Sequence, residues 1–357
     1  MTSLEAALAV LEDKPLDDER TQLAKAKARA QITGYDARWD GEPYSALAVE
    51  DEFSLPILNP DTQRNSQVFQ QVGKIDVRLI DACGKKYNMD HKTTSMDISD
   101  PASTFWHQLA IESQVSMYAL ASWQQGTKID GSIWDVIKKP TIRQKKIPKE
   151  LKNFPNREGT RGEIDNCGTY YSFEVTQNDR QWLEYNDSET PHLYECRLTR
   201  DCLDRPEHYY QRRTVPRLDS EMLEWAEELW TIARDVRDTQ LKADKLERPE
   251  VAWFRNSGAC MNYGTPCEYL GLCAGYETAD GGLWHVREKP HAELSVESEA
   301  DRWDMLSHSS IQCYQTCRRK AYWKYERRLE KIDEEEKDAL FYGSLIHDAL
   351  EAWWTHQ

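Results

Sequence analysis

No apolar run in this 357-residue chain approaches the length needed to cross a bilayer, and its first residues lack the basic-then-apolar order of a secretory signal. A membrane protein is therefore not expected, and a cytoplasmic location is. There is no Gly-x4-Gly-Lys-Ser/Thr loop to cradle nucleotide phosphates, so an ATP-driven motor has no support. Nor is there an internal repeat, which argues against a solenoid. Net positive charge is missing as well. Lys and Arg number 46 against 62 Asp and Glu, for a net charge of −16. That is the wrong sign for a protein that coats a polyanion. Any such contact must come from a local basic surface, with the acidic remainder limiting non-specific binding.

What is present is more specific. The length suits one large domain or two smaller ones. Nine cysteines is an odd count in a chain without a secretory signal. A reducing compartment is expected, with clustered cysteines acting as metal ligands rather than as disulfides.

Periodicity and breakers give a coarse map. Residues 4–33 read as helix, and Ser45 to Leu58 as a strand pair feeding a hairpin of Val72–Ile80 and Lys86–Thr93. Asp100-Pro101 opens a helix expected to run through Gln125, with proline in its first turn and Gly126 past its end. Gly131 to Lys139 is a further strand candidate. Residues 219–244 form an amphipathic helix, and 309–328 and 343–357 read as two more. Three regions are expected: 1–139 as a core of strands and helix, 140–290 with a basic segment and a cysteine loop, and 291–357 packing back on the core.

The hairpin carries the densest chemistry. Alternation puts Ile75, Val77 and Leu79 on one face and Asp76 and Arg78 on the other. On the next strand, Asn88, Asp90 and Lys92 share a side. If the chain reverses near Cys83-Gly84, Asp76 and Asp90 fall opposite each other, about 4.5–5.5 Å apart at Cβ, where like charges repel. A hard divalent cation such as Mg²⁺ between the carboxylates would remove that penalty. A single Asp or Lys here would be an ordinary solvated face, but the combination is far rarer by chance. Gln114 and Tyr118, spaced i,i+4, share a helix face and could hold a strand or orient the lysine.

Cys260, Cys267 and Cys273 place three thiols in one short loop with Gly264, Pro266 and Gly271. Soft sulfur ligands select zinc or an iron–sulfur cluster, and spacing alone does not decide between them. A fourth ligand is required, and Cys317 or Cys313 could supply it.

Gly73 to Asp76, Asp90-His91-Lys92-Thr93 and Gln114-x3-Tyr118, in that order, resemble the PD-(D/E)XK nuclease superfamily, specifically its RecB-like branch. The resemblance implies an α/β (α+β) fold with a restriction-endonuclease-like core, a central mixed sheet flanked by helices, and an iron–sulfur-stapled region. It implies Asp76 and Asp90 as ligands of Mg²⁺ or Mn²⁺, Lys92 as the residue that activates water, and the His91 carbonyl completing the metal shell. Ser310, Tyr314 and Cys317, followed by basic and aromatic residues to Trp323, resemble the cluster helix of CRISPR-associated exonucleases. That makes Cys317 the fourth ligand of a [4Fe–4S] cluster, with Zn²⁺ as the alternative, and leaves Cys83, Cys167, Cys196, Cys202 and Cys313 as ordinary thiols. Gly343 to His347 resembles a Gly-x-x-x-His motif whose histidine adds a metal ligand.

In the family these last two elements come first, so the chain looks circularly permuted; a gene boundary cut from a circular or repeated sequence, or a truncated second copy, would give the same order. The activity implied is a DNA nuclease, an exonuclease on single-stranded or end-containing DNA. The chain resembles bacteriophage versions, which implies work with replication or recombination proteins inside a bacterial host. The alternative is a non-catalytic DNA-binding accessory protein, or a zinc-stabilised scaffold. Lys138, Lys139, Arg143, Lys145 and Lys146, continuing through Lys149, Lys152 and Arg157, are candidates for phosphate tracking. Tyr209, Tyr210, Arg212 and Arg213 are candidates for gripping bases, and a strand edge explains them equally well.

Overall fold

The computed structural model describes residues 1–14, 18–147, 169–262, 264–289, 291, 294–295, 303–332 and 338–357. Helix α1 (Ser3–Asp13) begins with a capping box, in which Thr2 accepts the Glu5 N–H and Glu5 accepts the Thr2 N–H. Helix α2 (Glu19–Arg38) is capped by Asp18, which accepts the Thr21 N–H at 2.7 Å. One helix was expected over 4–33. The extended backbone at Lys14 and this second cap divide it into two.

Strand β1 (Tyr44–Leu58) runs antiparallel to β2 (Asn65–Asp81) over nearly its whole length. The expected strand pair within 45–58 is thus a single long strand, with register shifts near Ala46 and Pro56. The turn to β3 (Lys86–Thr94) is built by Asp81, whose Oδ1 accepts the Cys83 and Lys85 N–H groups, and by Gly84 at φ +82. A crossover then carries α3 (Thr104–Ala110) and α4 (Ser113–Gln124) to β4 (Gly131–Lys138), parallel to β3. The expected single helix over 101–125 is broken at Ile111 and Glu112, the latter extended at ψ 122.

The Tyr210–Val215 strand adds antiparallel to β4, and Met305–Leu306 pairs parallel with Gln70 and Gln71 of β2. The result is a six-stranded mixed sheet flanked by helices, consistent with a restriction-endonuclease-like fold. On one side Phe53, Ile75, Met117 and Tyr118 join a core with Trp225 and Leu229 of the Asp219–Ala243 helix and Trp253, Trp303 and Tyr314. On the other, Val77, Leu79 and Met89 pack with Tyr35 of α2, Tyr194 and Leu198 of the Pro191–Asp204 helix, and Leu345, Ile346 and Trp353 of the Asp338–Thr355 helix. The helix expected over 309–328 is interrupted at Cys317, whose φ of −159 separates His308–Thr316 from Arg318–Ala321.

Candidate metal and nucleic-acid site

The sheet opens where the carboxylates sit. Strand β1 covers one edge of β2. The other edge is shared: β3 pairs with Val77 to Ile80, and Met305–Leu306 with Gln70 and Gln71. Among the described residues, 72–76 have no ladder partner on that side. Alternation also fails here. Ile75 packs with Phe53 and Tyr118, whereas Val77 and Leu79 pack in the opposite core, so the three do not share the face that strict alternation predicts. Across the strand pair, Glu50 holds a left-handed φ of +53 opposite Asp76, between the pairs Val49–Val77 and Asp51–Ile75.

The β2–β3 ladder ends at Val77–Met89, in the register that sets Asp76 opposite Asp90 one step further on. There the Asp76 Oδ2 accepts the backbone N–H of His91 at 2.7 Å. Lys92 Nζ forms an ion pair with Asp90 Oδ2 at 2.7 Å. Gln114 ties the set together: its Oε1 accepts from Lys92 Nζ at 2.8 Å, and its Nε2 donates to Asp90 Oδ1 at 2.8 Å and to the Tyr118 hydroxyl at 2.9 Å. Tyr118 in turn donates to the Lys74 carbonyl at 2.7 Å. The i,i+4 spacing on α4 therefore serves to fix Gln114 over Asp90 and Lys92. His347, on the Asp338–Thr355 helix, brings Nδ1 to 3.8 Å from Asp76 Oδ2. Both face a cleft of about 610 Å³ that also exposes Glu50, Lys74, Thr93 and Lys139.

The electrostatics follow from burial. Burial, and then the neighbouring Asp90, push the Asp76 carboxyl well above the usual carboxylate range. Burial and the nearby His91 lower His347 to about 4, so its imidazole is neutral near pH 7, the form that ligates metal. Two crowded buried carboxylates and a neutral imidazole are the donor types that a hard divalent cation takes, and its charge would offset the cost of ionising Asp76. In their present rotamers, no three His, Cys, Asp or Glu side chains among the described residues are grouped to hold one ion.

Behind this face lies a network that sequence reasoning missed. The His91 ring turns away from Asp90 and Lys92, lies 6.2 Å from the His347 ring between centroids, and brings Nδ1 to 2.8 Å from Asp135 Oδ2. Asp135, wholly buried, also accepts from the Tyr35 hydroxyl at 2.7 Å and from Arg212 Nε at 2.9 Å. Arg212 bonds Glu42 too, and its guanidinium lies 3.9 Å from the Trp39 ring centroid. A signal existed: Asp135 interrupts the apolar run Ile133, Trp134, Val136, Ile137, and a charge inside a buried strand needs an internal partner. Of the two readings of Tyr209, Tyr210, Arg212 and Arg213, the strand edge agrees with the Tyr210–Val215 strand at the end of the sheet, and the base grip does not. Both tyrosines are in the core, Arg212 neutralises buried carboxylates, and Arg213 lies 4.0 Å over the Trp106 ring and donates to the Pro101 carbonyl.

The described part of the basic segment, residues 138–147, does not present one continuous surface. Lys138 is buried and reaches Asp97 at 3.4 Å, while Lys139 is half-buried at the cleft. Arg143 and Lys146 are exposed, and Lys145 sits over the Tyr170 and Tyr171 rings. Lys149, Lys152 and Arg157, like Cys167, lie outside the described residues.

Cys260, Cys267, Cys273 and Cys317 are all half-buried free thiols. Asn256 links two of them, its N–H donating to Cys317 Sγ at 3.5 Å and its carbonyl accepting from Cys260 Sγ at 3.7 Å. Cys317 also acts electrostatically on both Cys267 and Cys273. The helix break at Cys317 thus faces the cysteine loop. Burial pushes the Cys313 thiol up to about 11, which suits an ordinary protonated thiol.

No curated protein matches the chain at a significant level. Residues 305–357, which contain Cys317 and His347, match the sequence model of the PD-(D/E)XK nuclease superfamily, whose members are typically nucleases that commonly use Mg²⁺ or Mn²⁺.

Proposed function

We propose that the chain is a metal-dependent deoxyribonuclease, an exonuclease acting on single-stranded DNA or DNA ends in phage replication or recombination. The observation that carries this reading is the meeting of His347, from the segment that matches the nuclease model, with Asp76 of β2 beside Asp90 and Lys92 of β3. Asp76, Asp90 and His347 would hold Mg²⁺ or Mn²⁺, with the His91 carbonyl as a further donor. When bound, such a cation acidifies water and shields phosphate charge. Lys92 keeps a positive charge where negative charge develops on the attacked phosphate. Gln114 fixes Lys92 and Asp90, Tyr118 fixes Gln114, and the His91 N–H fixes one oxygen of Asp76.

Cys260, Cys267, Cys273 and Cys317 would hold a [4Fe–4S] cluster as a structural staple between the 260–273 loop and the 308–321 helices. What favours the cluster over zinc is the resemblance of the Ser310, Tyr314 and Cys317 segment to the cluster helix of iron–sulfur nucleases. The order of motifs is read as a circular permutation, with residues 305–357 supplying what the family places first. The test is incubation with end-labelled single-stranded DNA and Mn²⁺, beside Asp90→Ala and Lys92→Ala. Degradation by wild type alone is expected. No degradation above that of the variants would leave only a binding role.

A further inference from the structure

Next to the carboxylate cleft lies a second one of about 450 Å³, with a different character. Its wall on α2 is formed by Arg20, Leu23, Ala24 and Lys27, spaced i, i+3, i+4 and i+7 on one helix face. Phe341 and Tyr342 line it too, as does Lys139, whose ammonium lies 5.5 Å from the Tyr342 ring centroid. Three cations and two aromatic rings line it, and no carboxylate does among the described residues. In a chain with 62 acidic and 46 basic residues, that is a local reversal of sign.

The two clefts are neighbours, because Lys139 lines both. The first carries Glu50, Asp76, Asp348 and Glu351 against Lys74 and Lys139, an excess of carboxylate that suits a divalent cation and disfavours phosphate until one is bound. The second is the reverse. Cationic walls with aromatic side chains are what a single nucleic-acid strand needs, since phosphates take the charges and any base can stack. Arg20 and Lys27 stand roughly 10 Å apart along the helix axis, so they would meet different phosphates.

We propose that the Arg20–Lys27–Phe341 cleft binds the single-stranded DNA flanking the scissile phosphate, with Lys139 at the junction of binding and cleavage. This rests on the nuclease reading for its substrate, but it is tested separately. Binding of a fluorescein-labelled oligothymidylate is followed by anisotropy in EDTA, where no cleavage occurs, for wild type, Arg20→Ala/Lys27→Ala and Phe341→Ala. The double variant should bind about 10-fold or more weakly at low salt, and its slope of log K against log salt should be shallower by about 1.4, for two lost phosphate contacts. Phe341→Ala should weaken binding with the slope unchanged. Hydrolysis of bis(p-nitrophenyl) phosphate with Mn²⁺, a substrate too small to reach the cleft, should be the same in the double variant as in wild type. Wild-type affinity and slope in Arg20→Ala/Lys27→Ala would overturn the cleft assignment while leaving the nuclease reading intact. Loss of hydrolysis by wild type itself would strike the nuclease reading and leave the anisotropy result to decide the cleft.

Discussion

Replacing Asp135 by alanine should destabilise the fold more than any surface change, although Asp135 touches neither proposed substrate nor proposed metal. Its carboxylate is completely buried and takes three donors at 2.7–2.9 Å, from Tyr35, His91 and Arg212. Removing one partner of a buried ion pair costs about 3–5 kcal/mol, because the other charge is left uncompensated. Arg212 would retain Glu42, which puts the expected loss near the lower end, about 3 kcal/mol. Against a typical stability of about 5–15 kcal/mol, that is a large fraction. A urea titration would show it as a lower midpoint at unchanged m. The pH dependence has a definite sign. Burial alone would raise this carboxyl, but Arg212 and the His91 ring outweigh it and hold it below the usual range. Its contribution is therefore present above the unfolded value of about 3.9 and is lost as pH falls below it. The gap between wild type and Asp135→Ala should narrow in acid. In Asp135→Ala/Arg212→Met, the combined loss should fall short of the sum of the single losses, since the two share one network. A neutral-pH loss under about 1 kcal/mol, or a gap that persists in acid, would refute the reasoning.

Gly73→Ala would set a Cβ 2.7 Å from Phe53 Cζ and 3.4 Å from Tyr118 Cε1, so a thermal melt should show a loss of about 1–3 kcal/mol. Disturbing Tyr118 should also loosen Gln114 and slow any cleavage. His192, bonded to Asp179 at 2.7 Å, is raised by that bond to about 10. Its contribution is full below its unfolded value of about 6.5 and disappears as pH climbs through about 10, so the stability gap to His192→Ala should close over that window. Wild type purified without oxygen should be brown, with visible absorbance and bound iron, and Cys317→Ala should be paler and melt lower. A colourless, zinc-loaded wild type would instead favour the zinc alternative.

Much of the core was legible because it is local. The β2–β3 hairpin, its turn at Gly84, β4 and the Asp219–Ala243 helix all follow from period and breaker residues. The helix interruptions at Glu112 and Cys317 were not, since nothing in the apolar spacing marks them; both are positions where the backbone turns extended to meet a neighbour. The opening in the sheet beside Asp76 was hidden for a different reason. It depends on Met305–Leu306 taking the far half of the β2 edge, a pairing more than 200 residues distant in sequence. Asp76, Asp90, Lys92, Gln114 and Tyr118 could be picked out by type and spacing, whereas Asp135, Arg212, Tyr35 and Glu42 come from β4, the Tyr210–Val215 strand, α2 and the turn after α2, and meet only in the folded chain.

The most direct test of the whole account is diffraction from crystals soaked in Mn²⁺, with data collected for anomalous scattering from manganese. A peak within coordination distance of the Asp76 and Asp90 carboxylates and the His347 ring, absent in Asp76→Ala, is the predicted result. Density that avoids all three side chains at saturating Mn²⁺, with the protein intact, would contradict it.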